Sequence, residues 1–492
     1  MDSITQHWII TPDGMGKVDA AAAQSGLDSF GLMRAAGSSV AAAALRDFPQ
    51  AQRFCVLCGP GNNGGDGYIA ATALAQSGAS VDVFSTGNGD QLKGDAKRAF
   101  DAWEGPVHAI SQCVVTDRDV VIDALFGAGL SRTVSDEIAA VIHRVNASGV
   151  PVVAVDLPSG ISGHSGAVLG AAFKASLTVT FMCRKPGHLL LPGRVHCGRL
   201  DVVDIGIPKR ILETQKSTIV ENGPSVWASA LPTEDLSTHK YRKGHLAVFS
   251  GGALHTGAAR LASMAGLRSG AGLVTLASPQ DALATNAAHL TAVMLKEINT
   301  KANVREWLDD QRLTTFVLGP GFGIGQNARD IALAVADRRL VLDADGISSF
   351  KDNPTELFSA FSNGDTRLIL TPHDGEFARL FPDIAADDML SKVEKAIEAA
   401  RRSHSVVILK GADTVIAAPD GRAAINTNAP PWLATAGSGD VLAGIAGAHL
   451  AQGIPAYEAA ASAVWRHGRA GLRLDATATA EALVDCIPPL DR

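Results

Sequence analysis

Residues 53–67 read RFCVLCGPGNNGGDG, an apolar run followed at once by a glycine-rich loop. The apolar run predicts a buried strand, and the glycines predict a tight turn into the Ala-rich helix that follows. Strand, glycine turn and helix open a βαβ unit, which predicts a parallel sheet covered by helices. Gly59, Gly61 and Gly64 also spell G-x-G-x-x-G, the pattern of a dinucleotide-binding turn.

Apolar runs and helix-compatible stretches continue to alternate on both sides of this loop. Residues 13–45 are rich in Ala and predict helices before the first strand. Further strands predicted in the first half are SVDVFS (80–85), DVVIDA (119–124), PVVAVD (151–156) and SLTVTF (176–181). Those of the second half are HLAVFS (245–250), GLVTLA (272–277), TFVLGP (315–320), RLVLDA (339–344), RLILTP (367–372), SVVILK (405–410) and DTVIAA (413–418). Both halves are therefore predicted to be α/β.

The alternation breaks at residues 208–236, which are polar, carry three prolines and lack a clear period. This stretch predicts a linker or domain boundary. We expect one domain over residues 1–215 and another over 225–492. A chain of 492 residues is long enough for two or three domains.

Composition narrows the function classes. A net charge of −7 without a basic tract argues against nucleic acid as a partner. Six cysteines argue against a disulfide scaffold and fit a reducing cytosol. Cys55 and Cys58 lie three apart on a strand and face opposite ways, so metal or redox pairing is not expected. No secretory signal and no run of 18 apolar residues is visible, which predicts a cytoplasmic protein without a membrane span.

Three polar loops follow strands of the first half: GPGNNGGDG (59–67), DALFGAGLSR (123–132) and DLPSG (156–160). Ligands of open parallel sheets bind beyond the carboxyl ends of the strands. A glycine-rich turn into a helix can present N–H groups to an anion. We therefore expect the three loops to converge on one site.

The residues alone leave three interpretations of these loops open. The first is a dinucleotide site, in which Asp82 would be the acid that binds the ribose. Asp82, however, lies inside the apolar run SVDVFS and not at its end. Asp66 would repel a pyrophosphate, although a carboxylate suits a helix N-terminus. The second is a cation-plus-ligand site, because Asn63, Asp123 and Ser159 offer the oxygen atoms that hard metals prefer. The third is a set of purely structural turns, since the chain has 50 glycines.

The first half resembles the NAD(P)H-hydrate epimerase family over about residues 5–210. The resemblance is carried by MRAAG (33–37), GPGNNGGDGY (59–68), DALFGAGLSR (123–132), VDLPSG (155–160) and RKPGH (184–188). It implies a Rossmann-like three-layer αβα domain, a bound potassium ion, and interconversion of the R and S hydrates of NADH and NADPH. One departure is Arg34, where the family often has Glu on an early helix.

The same resemblance implies roles for particular residues. Contacts to the hydrated cofactor are expected from Asn62, Asn63, Gly64, Gly65, Asp66, Gly127, Ala128, Gly129, Leu130, Ser131, Arg132, Thr133 and Asp156. Potassium ligands are expected at Asn63, Asp123 and Ser159. Epimerisation at C6 requires hydroxide to leave and return to the other face, and a carboxylate can guide that water as acid or base. Asp156 and Asp123 are both candidates for this catalytic carboxylate.

ATAGSGDVLAG (434–444) is the most informative stretch of the second half. Gly437, Ser438 and Gly439 would direct N–H groups at an anion from a helix N-terminus. Asp440 would lie beside that anion as a base toward a hydroxyl, an arrangement that suits phosphoryl transfer. The G-x-x-x-x-G-K-[ST] motif is absent from the sequence. A structural turn capped by an acid is the alternative interpretation.

The second half is similar to the ADP- or ATP-dependent NAD(P)H-hydrate dehydratase family over about residues 225–492. The motifs, in the family's order, are RKGH (242–245), TGAA (256–259), GPG (319–321), DADG (343–346), TPHDGE (371–376), KGADT (410–414) and AGSGD (436–440). The similarity implies a ribokinase-like α/β domain, magnesium with ADP or ATP, and phosphorylation of the C6 hydroxyl with Asp440 as base. Fused chains of this kind usually prefer ADP. Asp374 departs from the family's usual Pro.

The similarity again implies particular contacts. Substrate contacts are expected at Ala258, Gly321, His373 and Asp440. Nucleotide contacts are expected at Lys410, Gly411, Ala412, Asp413, Thr414 and Gly439.

Together these features predict a bifunctional repair enzyme whose first domain epimerises NAD(P)H hydrates and whose second domain dehydrates the S form. Its ligands would be hydrated NADH or NADPH and ADP or ATP, and a homo-oligomer is expected. A small-molecule kinase with an accessory Rossmann-like domain is the first alternative. A first half that only binds a ligand or protein is the second.

Overall fold

The computed structural model describes residues 8–233 and 243–490. The chain forms two compact units that divide between Ser217 and Thr218. The division falls within the stretch 208–236, of which residues 234–236 lie outside the described part. The first residue of the RKGH motif, Arg242, also lies outside it.

Seven strands of the described residues form one parallel sheet in the first unit, in the order β3-β2-β1-β4-β5-β6-β7. The strands are β1 Arg53–Cys58, β2 Ser80–Ser85, β3 Val107–Ala109, β4 Asp119–Ala124, β5 Val152–Val155, β6 Leu177–Phe181 and β7 Arg199–Val203. This is the Rossmann order, which reverses direction between β1 and β4 and opens a crevice there. The predicted Rossmann-like fold is confirmed.

Helices cover both faces of this sheet. They are α1 Pro12–Gln24, α2 Ser29–Asp47, α3 Asn62–Gln76, α4 Gly94–Asp101, α5 Asp136–Ser148, α6 Pro186–Leu189, α7 Gly193–His196 and α8 Lys209–Leu212, with 3-10 helices at Gly89–Gln91, Ile110–Gln112 and Glu213–Gln215. The core with α2 and α3 contains Cys58, and the core with α5 contains Cys55. The two thiols therefore lie on opposite faces, as predicted, and both are free.

The second unit contains a larger mixed sheet. Its strands in the described residues are β8 Ile219–Glu221, β9 His245–Phe249, β10 Leu273–Ser278, β11 Met294–Glu297, β12 Leu313–Leu318, β13 Arg339–Leu342, β14 Leu368–Leu370, β15 Val406–Leu409, β16 Val415–Ala417 and β17 Ala423–Ile425. Their order is β11-β10-β9-β12-β13-β14-β15-β16-β17-β8, antiparallel only between β15, β16 and β17. Because β8 joins this sheet, the unit takes in residues before 225.

Helices pack on this sheet and hold the second site. They are α9 Pro224–Trp227, α10 Gly257–Arg268, α11 Leu283–His289, α12 Lys301–Trp307, α13 Gln326–Ala334, α14 Ala344–Ser348, α15 Pro354–Ala360, α16 Asp374–Leu380, α17 Pro382–Ala386, α18 Lys392–Ser403, α19 Ser438–Ala451, α20 Ala456–Gly471 and α21 Ala480–Asp485, with 3-10 helices at Ala228–Ala230, Gln280–Ala282 and Pro431–Leu433. A Cβ atom at Gly444 of α19 would lie 2.1 Å from the carbonyl oxygen of Ala262 on α10. Glycine thus lets α19 pack closely and fixes its N-terminus. Among the helices of residues 8–233 and 243–490, none has the length and apolarity needed to cross a bilayer.

Candidate functional sites

Asn63, near the start of α3, connects the loops that follow β1, β4 and β5. With its amide oriented to satisfy both partners, it donates to the carbonyl of Val155 (3.1 Å) and accepts from the N–H of Gly127 (3.3 Å). Ser159 donates its N–H (2.7 Å) and its hydroxyl (2.6 Å) to the carboxylate of Asp123. The three loops therefore meet at the carboxyl edge of the sheet.

Asp123 is a fully buried carboxylate at the end of β4. Burial raises the pKa of Asp123 to about 6, although hydrogen bonds from Ser159 and from the N–H of Leu125 oppose the shift. Within the described residues, the groups found to contact this carboxylate are neutral donors. A buried carboxylate without a protein cation beside it is one whose charge a bound cation would compensate.

Asp156, directly after β5, adopts a left-handed backbone with a φ of 65°. Its carboxylate accepts hydrogen bonds from Lys185 Nζ (2.6 Å), the Thr180 hydroxyl (2.9 Å) and the N–H of Ala128 (2.9 Å). Its carbonyl accepts from His188 Nε2 (2.7 Å). Burial alone would raise the pKa of Asp156, but the charge of Lys185 and these hydrogen bonds hold it well below its ordinary value. Asp156 is therefore ionised at neutral pH.

Lys185 and His188 were not assigned roles by sequence analysis. The Lys185 side chain is nearly inaccessible to solvent, and its backbone N–H donates to His188 Nδ1 (2.9 Å), so Nε2 of His188 carries the proton. Burial and the charge of Lys185 lower the pKa of His188 to about 4, which keeps the ring neutral. Both residues belong to RKPGH, just beyond β6. The sequence did offer one signal for their role, because RKPGH follows a strand at the same carboxyl edge of the sheet as Asp156.

A cavity of about 650 Å³ opens over these loops, large enough for a substantial part of a dinucleotide. The predicted residues that line it are Asn62, Asn63, Asp66, Gly127, Ala128, Gly129, Leu130, Ser131, Arg132 and Asp156. Gly64, Gly65, Asp123, Thr133 and Ser159 are not among its lining residues. Lys185, although nearly buried, is also among the lining residues of this cavity. The structure thus brings most of the predicted epimerase contacts together in one lining, while Asp123 and Ser159 are fully buried outside it.

Two glycines of the opening loop are required by close backbone contacts. A Cβ atom at Gly59 would lie 1.8 Å from the carbonyl oxygen of Leu125, and one at Gly64 would lie 2.0 Å from the carbonyl oxygen of Gly59. By contrast, a Cβ atom at Gly61 would have no neighbour within 4 Å. The loop therefore needs glycine at its first and third motif positions for packing.

We expect Gly64→Ala to lower the free energy of unfolding by about 2–3 kcal/mol, because the backbone must shift to admit the methyl group. Gly61→Ala is the matched control and should change it by less than about 0.5 kcal/mol. Urea unfolding followed by fluorescence and circular dichroism measures both variants. Equal stability of the two variants would contradict the close contact.

Two residues considered in the sequence lie apart from this cavity. Asp82 pairs with Arg53 (2.9 Å), the first residue of β1, at the opposite end of the strand from the glycine loop. Arg34 is mostly exposed on α2, with Asp28 4.0 Å away. Neither side chain lines the cavity.

The second site lies at the N-terminus of α19. Gly437 has a φ of 85° and turns the chain into the helix. The N–H of Val441 bonds to the carbonyl of Gly437 (3.1 Å), so the N–H groups of Gly439 and Asp440 precede the first bond of the helical ladder. They are available to an anion at the positive end of the helix dipole.

Charged groups gather beside this helix end. Lys410 Nζ lies 2.8 Å from Asp343 Oδ1 and 3.8 Å from Glu376 Oε2. Asp343 also accepts a hydrogen bond from the hydroxyl of Thr371 (2.6 Å). Burial and the neighbouring charge of Asp343 raise the pKa of Asp440 to about 7, while Lys410 opposes the shift. Asp440 can therefore exchange a proton near neutral pH, as a general base must.

The other predicted dehydratase residues fall into separate groups. His373 caps α16, with its Nδ1 accepting from the N–H groups of Gly375 (3.0 Å) and Glu376 (3.3 Å). Its Nε2 lies 3.4 Å from Glu376 Oε1, and the side chain is about half exposed. A Cβ atom at Gly321, where φ is 60°, would lie 3.2 Å from Cβ of Ala258, so these two residues are neighbours.

The loop 410–414 presents fewer free side chains than its sequence suggests. Asp413 pairs with Lys392 (2.6 Å), and the hydroxyl of Thr414 donates to the carbonyl of Gly411 (2.7 Å). A Cβ atom at Gly439 would lie 3.5 Å from Lys410 Nζ. Of this loop, the side chain of Lys410 is the one placed beside Asp440. Asp343 and Glu376, which lie beside Lys410, belong to the DADG and TPHDGE motifs but were given no role by sequence analysis.

Known proteins match both units. Residues 29–187 match the family described as YjeF-related protein N-terminus, and residues 246–488 match the family described as NAD(P)H-hydrate dehydratase. The bifunctional NAD(P)H-hydrate repair enzyme Nnr of Moorella thermoacetica is 36% identical, covering 94% of this chain and 92% of that protein. The enzyme of the same name from Thermofilum pendens is 36% identical, covering 92% and 88%.

Among solved structures, an ADP/ATP-dependent NAD(P)H-hydrate dehydratase from Bacillus subtilis, co-crystallised with ATP and Mg²⁺, is 28% identical. It covers 53% of this chain and 93% of that one, with a TM-score of 0.45. The matched families agree with the predicted fold class, a Rossmann-like domain followed by a ribokinase-like domain. The alignments with the Moorella thermoacetica and Thermofilum pendens enzymes cover nearly the full length of this chain and of each relative. The chain belongs to the family of bifunctional NAD(P)H-hydrate repair enzymes.

Proposed function

We propose that residues 1–215 interconvert the R and S hydrates of NADH and NADPH, and that residues 225–492 dehydrate the S form with ADP or ATP. The observation that carries the proposal is the pair of sites at strand carboxyl ends, one in each unit. The first offers the carboxylate of Asp156 held by Lys185, and the second offers Asp440 at a helix N-terminus. The 36% identity to a bifunctional repair enzyme, over 94% of this chain, supports the same assignment of one activity to each unit.

In the first site, hydroxide leaves C6 of the hydrated ring with help from the ring nitrogen, which leaves a cationic ring. The ionised carboxylate of Asp156 lines the cavity and would stabilise that charge. The loop 127–133 would hold the phosphate groups through backbone N–H groups and Arg132. Asp123 is bonded to Ser159 away from the cavity lining, so Asp156 is the better placed of the two carboxylates.

Asn63, Asp123 and Ser159 would hold the potassium ion. Their amide, carboxylate and hydroxyl oxygens are ligands that hard cations prefer, and the carboxylate is buried without a positively charged partner in the described residues. When bound, the ion supplies a fixed positive charge beneath the loops. Asn63 also accepts a hydrogen bond from the N–H of Gly127, a lining residue of the cavity, so the ion would be linked to that loop.

In the second site, Asp440 takes the proton of the C6 hydroxyl while that oxygen bonds to the terminal phosphorus of ADP or ATP. AMP or ADP is released. The new phosphate group then leaves with the C–O electron pair, and loss of the C5 proton restores the ring double bond. The N–H groups of Gly439 and Asp440 would stabilise the phosphoryl charge, with Lys410 beside them.

Magnesium would accompany the nucleotide. In the described part of the chain, no group of three or more His, Cys, Asp or Glu side chains is arranged to hold a metal ion. Magnesium usually binds through substrate phosphates with one or two carboxylates, and the site offers Asp343 and Asp345. The ion would neutralise phosphate charge when bound.

The cellular setting is also a proposal. The six cysteines are free, which supports a reducing compartment, the cytoplasm. Assembly into a homo-oligomer stays a prediction, and light scattering of the purified chain would measure it.

The decisive assay mixes the purified chain with racemic NADHX and follows recovery of absorbance at 340 nm. With ADP or ATP, we expect recovery from both epimers, because the first site supplies the S form to the second. Without potassium, dehydration of the S epimer should stay fast. Recovery from the R epimer should slow to the rate of spontaneous epimerisation. A stable phosphorylated product without recovered absorbance would instead identify a small-molecule kinase. Conversion of the R form at the spontaneous rate in all conditions would indicate a first half that only binds.

A further inference from the structure

Two carboxyl groups line the cavity of the first unit in opposite surroundings. The carboxylate of Asp156 accepts three hydrogen bonds, one of them from the ammonium group of Lys185. Asp66, on α3, has no hydrogen bond or ion pair to its carboxyl group among the described residues. Both line the same cavity.

The groups around Asp66 disfavour a negative charge on it. It is three residues from Asn63 on α3, and the groups acting on it are Asp156 from the end of β5 and Asp19 from α1. Burial, followed by these two negative charges, raises the pKa of Asp66 well above its ordinary value. The other charged residues that line the cavity are Asp95 on α4, Arg132 after β4 and Lys185 after β6.

The groups around Asp156 have the reverse effect. Lys185 supplies a buried positive charge, and the neutral ring of His188 fixes the backbone of Asp156 without adding charge. The surroundings therefore favour the ionised form of Asp156 and the protonated form of Asp66. Two carboxyl groups whose surroundings separate their protonation states in one site are a common basis for acid and charge-stabilising roles.

We propose that Asp66 is the general acid of epimerisation, donating its proton to the C6 hydroxyl that leaves on its side of the ring. This assignment rests on the proposed epimerase function and adds to it a second catalytic residue. Asp156 then acts as the fixed negative charge for the cationic ring.

The C6–O bond breaks with both electrons going to oxygen, the proton of Asp66 converts the leaving group to water, and the nitrogen lone pair forms the N1=C6 bond. Water then adds to the other face of C6 and releases a proton. Solvent in the cavity returns that proton to the Asp66 carboxylate. In the reverse direction, the same carboxylate takes a proton from water that adds to its own face.

The test replaces Asp66 by Asn in the full-length chain. We expect the kcat of R-to-S conversion to fall at least about 100-fold, after correction for the spontaneous rate. In the wild-type chain, kcat should fall as pH rises through the elevated pKa of Asp66, because the acid must be protonated. Asp66→Asn should lose this decline, and Asp66→Glu should restore part of the rate with a displaced decline.

Asp101→Asn is the control, since Asp101 is exposed on α4, pairs with Lys97 of its own helix and is not among the residues that line the cavity. Its epimerisation rate should stay within about twofold of the wild type. Dehydration of purified S-NADHX by the second unit measures folding in every variant.

A wild-type chain that does not epimerise would refute the proposed function. Normal epimerisation by Asp66→Asn, with an unchanged pH profile, would refute the acid role alone. If Asp66→Asn does not fold, the pH dependence of kcat in Asp66→Glu decides. A decline at the same pH as in the wild type refutes the acid role, and a decline at a different pH supports it.

Discussion

Asp440→Asn is expected to slow nucleotide-dependent dehydration of S-NADHX on the order of 1,000-fold or more, while epimerisation continues. The amide cannot accept the proton of the C6 hydroxyl, and general base catalysis contributes roughly 10²–10⁴-fold. Absorbance at 340 nm measures dehydration, and chromatography of the two epimers measures epimerisation.

The pH dependence of the wild-type chain provides a second readout. A base must be ionised to act, and the pKa of Asp440 is raised to about 7. Dehydration should therefore rise with pH through this region, while Asp440→Asn should show no such rise. Asp475→Asn is the control, because Asp475 contacts only its own loop at Thr477 in the described structure. Normal turnover by Asp440→Asn would exclude the base role.

Lys185→Met is expected to have the second largest effect, on both stability and epimerisation. Removing one partner of a buried ion pair typically costs about 3–5 kcal/mol, because the carboxylate of Asp156 would remain buried without its cation. The pKa of Asp156 should rise, and the fixed charge in the cavity should be lost. Thermal unfolding measures stability, and dehydration of S-NADHX should be retained where the chain stays folded.

A double variant separates stability from chemistry. Adding Asp156→Asn to Lys185→Met removes the unpaired charge and should restore part of the lost stability, without restoring epimerisation. Lys174→Met, at an exposed position of the same unit, should behave like the wild type. Full epimerase activity in Lys185→Met would show that the charge of Asp156 does not depend on this lysine.

The sequence predicted the strands that are long and continuously apolar, such as RFCVLC, because burial on both faces leaves a clear pattern. It missed β3, β8 and β17, which are three residues long, and β11, whose four residues are mostly exposed. It also missed β7, whose five residues are only partly buried. Such short or edge strands are defined by their neighbours rather than by their own residues. The motifs located both sites, but their sequences do not show which hydrogen bonds and ion pairs each side chain forms.

Lys185 shows the same limit within the site. A lysine is usually exposed, and only its fold brings its ammonium group to within 2.6 Å of Asp156. Asp413 shows the converse, because its motif predicts a nucleotide contact while its side chain pairs with Lys392. Residue roles remain predictions where the contact depends on a ligand.

The two thiols on opposite faces of β1 have a consequence for oxidative stress. Burial raises the pKa of Cys55 to about 12, so its reactive thiolate is present at roughly one part in 10⁵ at neutral pH. Cys58 is also buried, with its pKa raised by the same cause. Peroxide attacks thiolates that solvent can reach, and joining the pair would require crossing the sheet. We therefore expect both thiols of β1, the strand that precedes the glycine loop 59–67, to resist oxidation by peroxide.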